Sequence, residues 1–469
     1  MNAKGMNEKV DNAANAAALA FRAYAGSAPA LRARFLREIA AGIEALGDAL
    51  IECVQRETAL PTPRIAGERA RTCMQLRLFA DLAERNEWID ERVDAADAAR
   101  TPPRPQLRSC LRPLGPALVF AASNFPLAFS VAGGDTAAAL AVGCPVIVKA
   151  HPAHARTCAM VAQAIQSAAQ RCDLPAGVFA LLDDASIETG VAAVRHPAIK
   201  VGAFTGSLQG GLALWREAQQ RDVPIPFFAE MGSVNPVFVL PSALERDAEA
   251  LALGLHASMT LGVGQFCTQP GLIFLVDDAA GRAFVERLAA LVAATAPGTM
   301  LSSSICRSYA HAITTRAGLP GVRTLARATH DASAPSPSDR SAVAALFATS
   351  ADDFLAHAEL GDEVFGPSSL VVLCASSVDF VRCADALAGQ LTATIWSGTQ
   401  RIGDNGDLLW ALEQKVGRIV FNGFPTGVEV GAATMHGGPY PATTDSRYTS
   451  VGTRAIQRFV RPVAWQTPA

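Results

Sequence analysis

The sequence has 469 residues, which is too long for one simple core, so two or three structural units are expected. Half of the residues are hydrophobic and only 18% are charged, a composition that excludes a disordered chain and fits a compact enzyme. The formal net charge is −3 and no basic stripe stands out, so nucleic acid is not expected as a partner.

Signals for targeting, membrane insertion and metal binding are missing from the sequence pattern. The first residues lack a cationic start followed by an apolar stretch and a cleavage site, so no signal peptide is expected. No run of about eighteen apolar residues is free of charges, so no membrane span is expected. The ten cysteines form no C-x-x-C pair, which argues against a metal site and against disulfides. A reducing, cytoplasmic setting is therefore the simplest expectation.

Residues 12–100 and 101–116 differ in pattern. In the first segment apolar residues recur three and four positions apart, as in 31–54, which predicts several amphipathic helices. The second segment contains five prolines, which remove hydrogen-bond donors and disfavour helix. We expect this segment to form an extended excursion or arm.

From residue 117 short apolar strands alternate with helices, a pattern typical of a parallel, doubly wound sheet. Such sheets bind ligands at the carboxyl ends of their strands, where Asn124, Lys149 and Ser207 are expected to lie. The predicted strands are 117–123, 145–149, 178–182 and a segment that ends with 199–206, and the predicted helices are 130–143, 155–171 and 211–220.

A second α/β unit is predicted after the apolar segment 225–230, and it begins with a strand at 236–240. Residues 296–345 are rich in Ala, Ser, Thr and Pro and give no clear prediction. The last stretch, 431–465, is rich in turn residues and then strand-like. Further predicted elements are the apolar run 272–276, a strand at 369–375, a helix at 379–387 and a strand at 418–422.

The stretch 262-GVGQFCTQPG-271 surrounds Cys267 with glycines and small polar residues, which predicts a thiol on a turn. Most free cysteines are small buried hydrophobes, so this residue alone would not indicate a function. Two other turns change that balance, because 228-FAEMGSVNP-236 carries a carboxylate and 121-AASNFP-126 carries an amide. Thiol, carboxylate and amide are three of the groups that an acyl-thiol mechanism needs.

Taken together, these motifs resemble the aldehyde dehydrogenase superfamily. Within it they are most similar to the NADP-dependent group that holds α-ketoglutaric semialdehyde dehydrogenases and a bacterial fatty aldehyde dehydrogenase. The resemblance covers nearly the whole chain, with its motifs in the right order. The stretches that carry it are ASNFPLAFSVAGGDTAAALAVGCPVIVKAHPAHA, AEMGSVNPVF, GVGQFCTQPG, EVFGP and HGGPYPATTDSR.

The resemblance implies an α/β aldehyde dehydrogenase fold with three parts. A Rossmann-like nucleotide-binding domain would comprise residues 1–100 and 115–231, and an α/β catalytic domain would comprise residues 232–438. Residues 101–114 and 439–469 would form a small β arm for oligomerisation. In this family the arm completes a partner's sheet, so a homodimer or homotetramer is expected.

The resemblance also implies the catalytic residues. Cys267 would be the nucleophile, and a turn with unpaired amides is expected to lower its pKa. Asn124 would donate to the oxyanion together with the backbone N–H of Cys267, although Asn before Phe-Pro also commonly shapes a loop. Glu230 would be the general base for the deacylating water, with a pKa raised by burial. His436 would tune the thiol, assist proton transfer or serve as a structural hydrogen-bonding residue.

The expected cofactor is NADP, with NAD as the alternative. No G-x-G-x-x-G is present, but the turn 204–211 lies between a strand and a helix. Its amides, around Gly206 and Gly211, and the hydroxyl of Ser207 would meet the pyrophosphate at the helix N-terminus. Glycine-rich turns alone are weak evidence, so this assignment also depends on the resemblance.

Four further positions bear on the cofactor. The resemblance assigns Lys149 to the adenosine ribose side, Glu363 to the nicotinamide ribose hydroxyls, and Phe365 to a position beside that ribose and the nicotinamide. NAD-preferring relatives often carry a Glu three residues after the lysine, where this chain has Pro152. Losing that carboxylate removes repulsion against a 2′-phosphate, which favours NADP.

The implied reaction is oxidation of a small-molecule aldehyde to a carboxylate through a thiohemiacetal and a thioester on Cys267. α-Ketoglutaric semialdehyde, which would give 2-oxoglutarate, is the expected substrate. A medium- or long-chain aliphatic aldehyde is an alternative, with Phe266 shaping the acyl pocket. Transfer of the acyl group to coenzyme A is disfavoured because such relatives typically lack the base, present here as Glu230. A catalytically silent NADP-binding member of the fold is the remaining alternative.

Overall fold

The computed structural model describes residues 3–329, 339–398 and 405–468. These residues form a five-stranded and a seven-stranded sheet, on which helices pack, together with a three-stranded and a two-stranded sheet. No helix in these ranges is long and apolar enough to cross a membrane.

The first quarter of the described chain is helical, as the apolar spacing predicts, but the helices end before residue 100. The fourth helix stops where Asn86 adopts a left-handed conformation with φ 56°, which Asn tolerates better than most residues. The helical prediction for 86–100 is therefore wrong, and a short strand, β1 (Arg92–Asp94), lies there. The helices are α1 (Ala3–Ala25), α2 (Pro29–Ala45), α3 (Gly47–Thr58) and α4 (Thr62–Arg85).

The five-stranded sheet is parallel throughout, with the order β5-β4-β3-β6-β7. Its central strands are short apolar runs buried on both faces, as parallel sheets require. The chain order reverses between β3 and β6, so the loops after these two strands border the crevice where such sheets bind ligands. The strands are β3 (Ala117–Phe120), β4 (Val146–Lys149), β5 (Phe179–Leu182), β6 (Val201–Thr205) and β7 (Phe227–Glu230).

The three predicted helices of this unit are present, two of them with different starts, and a fourth helix, α7 (Ile187–Arg195), was not predicted. The helix predicted from residue 130 begins at Gly134, because residues 128–133 make a tight turn in which a Cβ on Gly133 would lie 2.6 Å from the Ala128 carbonyl oxygen. The helix predicted from residue 211 begins at Leu208, because Ser207 caps it. The helices are α5 (Gly134–Ala141), α6 (Ala155–Arg171), α7 (Ile187–Arg195) and α8 (Leu208–Gln219).

The seven-stranded sheet has the order β11-β13-β14-β9-β8-β15-β16 and is parallel except for its edge strand β11. Phe238 and Phe274 stack at a 4.6 Å centroid separation in its core. The strands are β8 (Val237–Val239), β9 (Leu272–Val276), β11 (Arg323–Arg327), β13 (Ala345–Ser350), β14 (Ser368–Cys374), β15 (Gln390–Trp396) and β16 (Val416–Phe421). Its helices are α9 (Pro241–Thr260), α10 (Ala279–Ala293), α11 (Ser303–Ala317), α12 (Ala351–Ala356), α13 (Val378–Ala386) and α14 (Gly406–Glu413).

The proline-rich segment is extended, as predicted, and forms β2 (Gln106–Pro113). It lies between β1 and β17 (Val460–Thr467) in an antiparallel three-stranded sheet. Two further short strands, β10 (Gly298–Thr299) and β12 (Ser341–Ala342), pair with each other. The domain boundaries expected from the sequence remain a prediction.

Candidate active site

Cys267 lies on a turn between α9 and β9, and the backbone before it is unusual. Gly262, Val263 and Gly264 all have positive φ, and the value of 59° at Val263 is rare for a β-branched residue. Gly264 also has no room for a side chain, because a Cβ there would lie 2.3 Å from the carbonyl carbon of Gly366. Steric contact therefore fixes the entry to the cysteine turn.

Asn235, which the sequence analysis quoted within a motif but gave no role, holds the cysteine turn. Its side-chain nitrogen donates to the carbonyl of Cys267 at 2.9 Å and to that of Gln269 at 2.8 Å. The residue is completely buried and its own φ is 43°. Asn adopts a positive φ more readily than most residues. This preference is the one feature of the sequence that could have indicated the role of Asn235.

Glu230 ends β7 and lies beside the thiol. Its side chain is buried, and the hydroxyl of Ser450 donates a hydrogen bond to its Oε2 atom. Nε2 of His436 is 2.9 Å from Oε1 of Glu230 and 3.4 Å from Sγ of Cys267. One side-chain nitrogen, oxygen or sulfur atom from each of these three residues lies within 4.8 Å of the others. The fold thus brings together the nucleophile, base and histidine expected from the sequence.

The expectation that the cysteine turn lowers the thiol pKa is wrong for this structure. Burial, reinforced by the negative charges of Glu230 and Glu363, raises the pKa of the Cys267 thiol well above its ordinary value. Arg418 and the residue's own backbone N–H only partly offset these effects. Cys267 is therefore a neutral thiol at neutral pH in this state, and it needs a proton acceptor to react.

The expectation of a raised pKa for Glu230 is also wrong. Burial acts to raise it, but the charge and proximity of His436 and the hydrogen bond from Ser450 outweigh that effect and lower the pKa of Glu230. The close contact with His436 is an ion-pair distance and does not meet hydrogen-bond geometry at Oε1. Glu230 is consequently ionised near neutral pH and able to accept a proton.

His436 is 1% exposed, and its backbone N–H donates to the hydroxyl of Thr449 at 2.9 Å. Its Nδ1 atom has no hydrogen-bond partner in the part of the chain that the structure describes. All of its polar side-chain contacts are therefore made by Nε2, which lies between the sulfur and the carboxylate. This geometry suits a residue that transfers or shares the thiol proton.

Asn124 lies in the loop after β3, close to the same cavity as Cys267. Its side-chain nitrogen donates to the carbonyl of Gln265 at 3.1 Å, which connects the loop to the cysteine turn. The residue is 9% exposed. Its amide is thus held beside the thiol, where a developing oxyanion would be stabilised.

Cys267, Asn124 and Glu230 line a cavity of about 360 Å³. Four of the residues expected to hold the cofactor line it as well: Gly206, Ser207, Glu363 and Phe365. Burial raises the pKa of Glu363 to about 7. The side-chain oxygen of Ser207 accepts from the N–H of Gly210 at the start of α8. Helix N-termini bind phosphates through their free N–H groups, so this cavity fits a dinucleotide.

Lys149 and Gly211, also expected to bind the cofactor, do not line this cavity. The buried ammonium of Lys149 donates to the carbonyls of Asp184 and Ala150, at the end of β4. Gly211 lies one turn inside α8, where a Cβ would be 2.6 Å from the sulfur of Met231. The structure thus gives Gly211 a packing role between helix and strand.

A second cavity, of about 320 Å³, also reaches Cys267, and among the described residues Cys267 alone lines both. Three phenylalanines and two arginines border the second cavity: Arg64, Arg71, Phe125, Phe129 and Phe266. Phe266 is expected there from the sequence, whereas neither arginine is. The sulfur therefore lies between a cavity that suits a dinucleotide and one that suits a small organic substrate.

A fold with these two cavities, and a site of thiol, carboxylate and amide, defines an aldehyde-oxidising enzyme. The chain matches the aldehyde dehydrogenase family over residues 2–439. It therefore belongs to the aldehyde dehydrogenase family, and its activity is NAD(P)-dependent oxidation of an aldehyde, as the sequence predicts.

Two relatives are similar to the chain over nearly its full length. It is 48% identical over 458 residues to α-ketoglutaric semialdehyde dehydrogenase 2 of Azospirillum brasilense, which covers 97% of this chain and 86% of the relative. It is 45% identical over 460 residues to α-ketoglutaric semialdehyde dehydrogenase of Acinetobacter baylyi, which covers 98% of this chain and 86% of the relative.

Solved structures show the same fold at lower identity. HpcC from Thermus thermophilus aligns with a TM-score of 0.84 and 22% identity, covering 98% of this chain and 86% of that chain. PnpE in complex with nicotinamide adenine dinucleotide aligns with a TM-score of 0.81 and 21% identity, covering 98% of this chain and 90% of that chain. The expected aldehyde dehydrogenase fold is thereby confirmed.

Proposed function

We propose that the protein oxidises α-ketoglutaric semialdehyde to 2-oxoglutarate. The observation that carries this proposal is the identity of 48% and 45%, over nearly the full chain, to two enzymes named for that substrate. The arginines beside the second cavity support it, because the substrate carries a carboxylate and cations bind carboxylates strongly.

The reaction begins at Cys267, which is a neutral thiol. Nε2 of His436, 3.4 Å from the sulfur and 2.9 Å from Oε1 of Glu230, gives its proton to the Glu230 carboxylate and takes the proton of the thiol. Glu230 releases that proton to water before the thioester is hydrolysed. The sulfur then bonds to the aldehyde carbon, and the carbonyl oxygen becomes an oxyanion that accepts hydrogen bonds from Asn124 and from the backbone N–H of Cys267. When bound, the nicotinamide cofactor supplies the acceptor for the hydride that leaves this carbon.

Loss of the hydride leaves a thioester on Cys267. Glu230 removes a proton from a water molecule, the water oxygen bonds to the acyl carbon, and the carbon–sulfur bond breaks. The net change is aldehyde, NAD(P)⁺ and water to carboxylate, NAD(P)H and protons. The lowered pKa of Glu230 keeps its carboxylate in the proton-accepting form for this step.

We propose NADP as the preferred cofactor. Ser207 and the N–H groups at the start of α8 would hold the pyrophosphate, Glu363 the nicotinamide ribose, and Phe365 the nicotinamide face. Lys149 would lie by the adenosine ribose, and Pro152 leaves no carboxylate to repel a 2′-phosphate. Displacement of the Asp184 and Ala150 carbonyls from Lys149 would free its ammonium for that phosphate.

The three-stranded sheet supports an oligomeric enzyme. We propose that β1, β2 and β17 form the arm of a homodimer or homotetramer, and that the unit around the five-stranded sheet binds the nucleotide while the unit around the seven-stranded sheet carries Cys267. We also propose that the enzyme works in a reducing, cytoplasmic setting.

The test is the initial rate of NADPH formation with α-ketoglutaric semialdehyde, beside decanal, and with NAD⁺ in place of NADP⁺. We expect the highest kcat/KM for the semialdehyde with NADP⁺. The three phenylalanines of the second cavity favour an aliphatic aldehyde as the second candidate. A preference for decanal would therefore reject the proposed substrate, and a preference for NAD⁺ would reject the proposed cofactor.

A further inference from the structure

The second cavity has an uneven distribution of charge. Arg64, Glu68 and Arg71 are the charged residues among those that line it, and all three come from α4. Their spacing of four and three residues puts them on one face of that helix. One carboxylate therefore faces two guanidinium groups next to the catalytic sulfur.

Arg64 and Glu68 already have partners. Arg64 Nη2 is 3.4 Å from Oε2 of Glu68, and its guanidinium lies over the rings of Phe125 and Phe266 at 4.4 and 4.8 Å. Oε1 of Glu68 accepts from the backbone N–H groups of Leu127 and Ala128 at 2.8 and 2.9 Å. This pair fixes the loop that carries Asn124, so it is structural.

Arg71 differs from Arg64 in its carboxylate partners, although both guanidinium groups lie over phenylalanine rings and neither buried Nε has a hydrogen-bond partner among the described residues. Nη1 of Arg71 donates to the carbonyl of Val428 at 2.6 Å. Within the described ranges no carboxylate forms an ion pair with it. Burial also lowers its pKa, because the cation has lost part of its hydration. Arg71 therefore retains a positive charge and unused donors at the wall of the cavity.

We infer that Arg71 binds the carboxylate at the far end of the aldehyde substrate, with Arg64 holding the surrounding wall in place. This inference rests on the proposed function and adds the residue that selects its substrate. Guanidinium groups pair with carboxylates through two parallel hydrogen bonds, and Arg71 has both a charge and a free donor for them. The phenylalanines contact the methylene carbons in between, while the aldehyde reaches Cys267.

This arrangement selects against uncharged aldehydes. An aldehyde without a distal carboxylate leaves the Arg71 charge buried and unpaired, and a site built to pair a group rejects the analogue that lacks it. We expect wild-type enzyme to prefer α-ketoglutaric semialdehyde over pentanal, an uncharged aldehyde of equal carbon number, by at least about tenfold in kcat/KM.

The test compares Arg71→Gln with wild type on both aldehydes. We expect kcat/KM for the semialdehyde to fall by about 10- to 100-fold, mainly through KM, while that for pentanal stays within about threefold. Arg71→Lys keeps the positive charge but lacks the two parallel donors, so its kcat/KM for the semialdehyde should lie between those of wild type and Arg71→Gln. Arg77→Gln, on the exposed side of α4, is the matched control. Retained pentanal oxidation and an unchanged Tm exclude a folding defect.

A second measurement separates this inference from the proposed substrate. Glutarate is a dicarboxylate without an aldehyde, and its Kd is measured by calorimetry on the intact enzyme. Arg71→Gln should raise that Kd by about tenfold or more. An equal Kd in both proteins, or an equal semialdehyde-to-pentanal ratio, overturns the role of Arg71. A wild-type enzyme without preference for the semialdehyde rejects the proposed substrate, and the glutarate result still decides on Arg71.

Discussion

The described part of the chain contains two close cysteine–histidine pairs, and one of them is at the active site. Sγ of Cys267 is 3.4 Å from Nε2 of His436, and Sγ of Cys158 is 3.2 Å from Nδ1 of His154. In the second pair both residues are completely buried, and Nε2 of His154 contacts the Ala122 carbonyl at 2.8 Å. Distance between thiol and imidazole therefore does not distinguish a catalytic pair from a structural one.

The two thiols respond to their surroundings in opposite directions. Burial acts to raise the pKa of Cys158, but the hydrogen bond and charge of His154 outweigh it and the pKa is lowered. At Cys267 burial acts together with Glu230 and Glu363, and the pKa is raised. The more acidic thiol is thus completely buried, whereas the thiol of Cys267 borders two cavities. Access to substrate and a nearby proton acceptor define the nucleophile here, more than thiol acidity alone.

Exchanging each cysteine for alanine should produce the largest difference in activity between the two pairs. Cys267→Ala should lose at least about 1,000-fold in kcat because the covalent step is removed. Cys158→Ala should retain activity within about threefold and lose about 1 kcal/mol in the free energy of unfolding. Initial rates and urea unfolding measure the two effects. Comparable activity losses in both variants would contradict the distinction.

Substitution of the carboxylate beside the catalytic pair should have the next largest effect on activity. Glu230→Gln should lower kcat by about 100- to 10,000-fold because hydrolysis of the thioester loses its base. A burst of NADPH, stoichiometric with active sites but slower than in wild type, should remain. Glu57 is the matched control, since its Oε2 accepts from the hydroxyl of Thr157 at 2.7 Å, beside Cys158. An unchanged steady-state rate in Glu230→Gln would reject its role.

Substitution of the histidines should affect different properties. His436→Gln is expected to lower kcat/KM by about 10- to 100-fold because the thiol loses its nearest proton acceptor. His154→Gln should instead lower the free energy of unfolding by about 1–3 kcal/mol, because Cys158 and the Ala122 carbonyl lose a partner. Full activity of His436→Gln would assign that residue a structural role, the alternative raised by the sequence.

The smallest effect concerns the thiol pKa itself. Iodoacetamide should alkylate Cys267 in the native enzyme faster as pH rises, because its raised pKa leaves little thiolate at neutral pH. Glu363→Gln removes one negative charge, lowers that pKa and should speed alkylation about threefold at about pH 8. Peptide mass spectrometry should find Cys158 unmodified. A pH-independent rate at Cys267 would contradict the raised pKa.

Much of this site is predictable from local sequence. The glycines around Cys267, the carboxylate after an apolar strand and the amide before Phe-Pro are each encoded within about ten residues, and the family resemblance orders them. Strand positions followed because apolar runs bounded by turn residues report buried parallel strands. Helix starts were less certain, since the caps at Ser207 and Gly133 depend on individual side-chain and backbone contacts.

The pKa directions and the binding residues could not be predicted in the same way. The pKa of Glu230 depends on His436, and the contact of His436 with Cys267 spans 169 residues of chain. Asn235 is one polar residue in a loop until its contacts to the cysteine turn are known. Arg71 is one of many arginines in an amphipathic region, and only the cavity distinguishes it from Arg77.

The close approach of Gly264 to Gly366 has a mechanical consequence. Two main chains touch there without side chains between them, one leading to Cys267 and the other following Glu363 and Phe365. Because the two main chains are already in contact, a side chain at Gly264 would displace both the turn that carries Cys267 and the segment that follows Glu363 and Phe365.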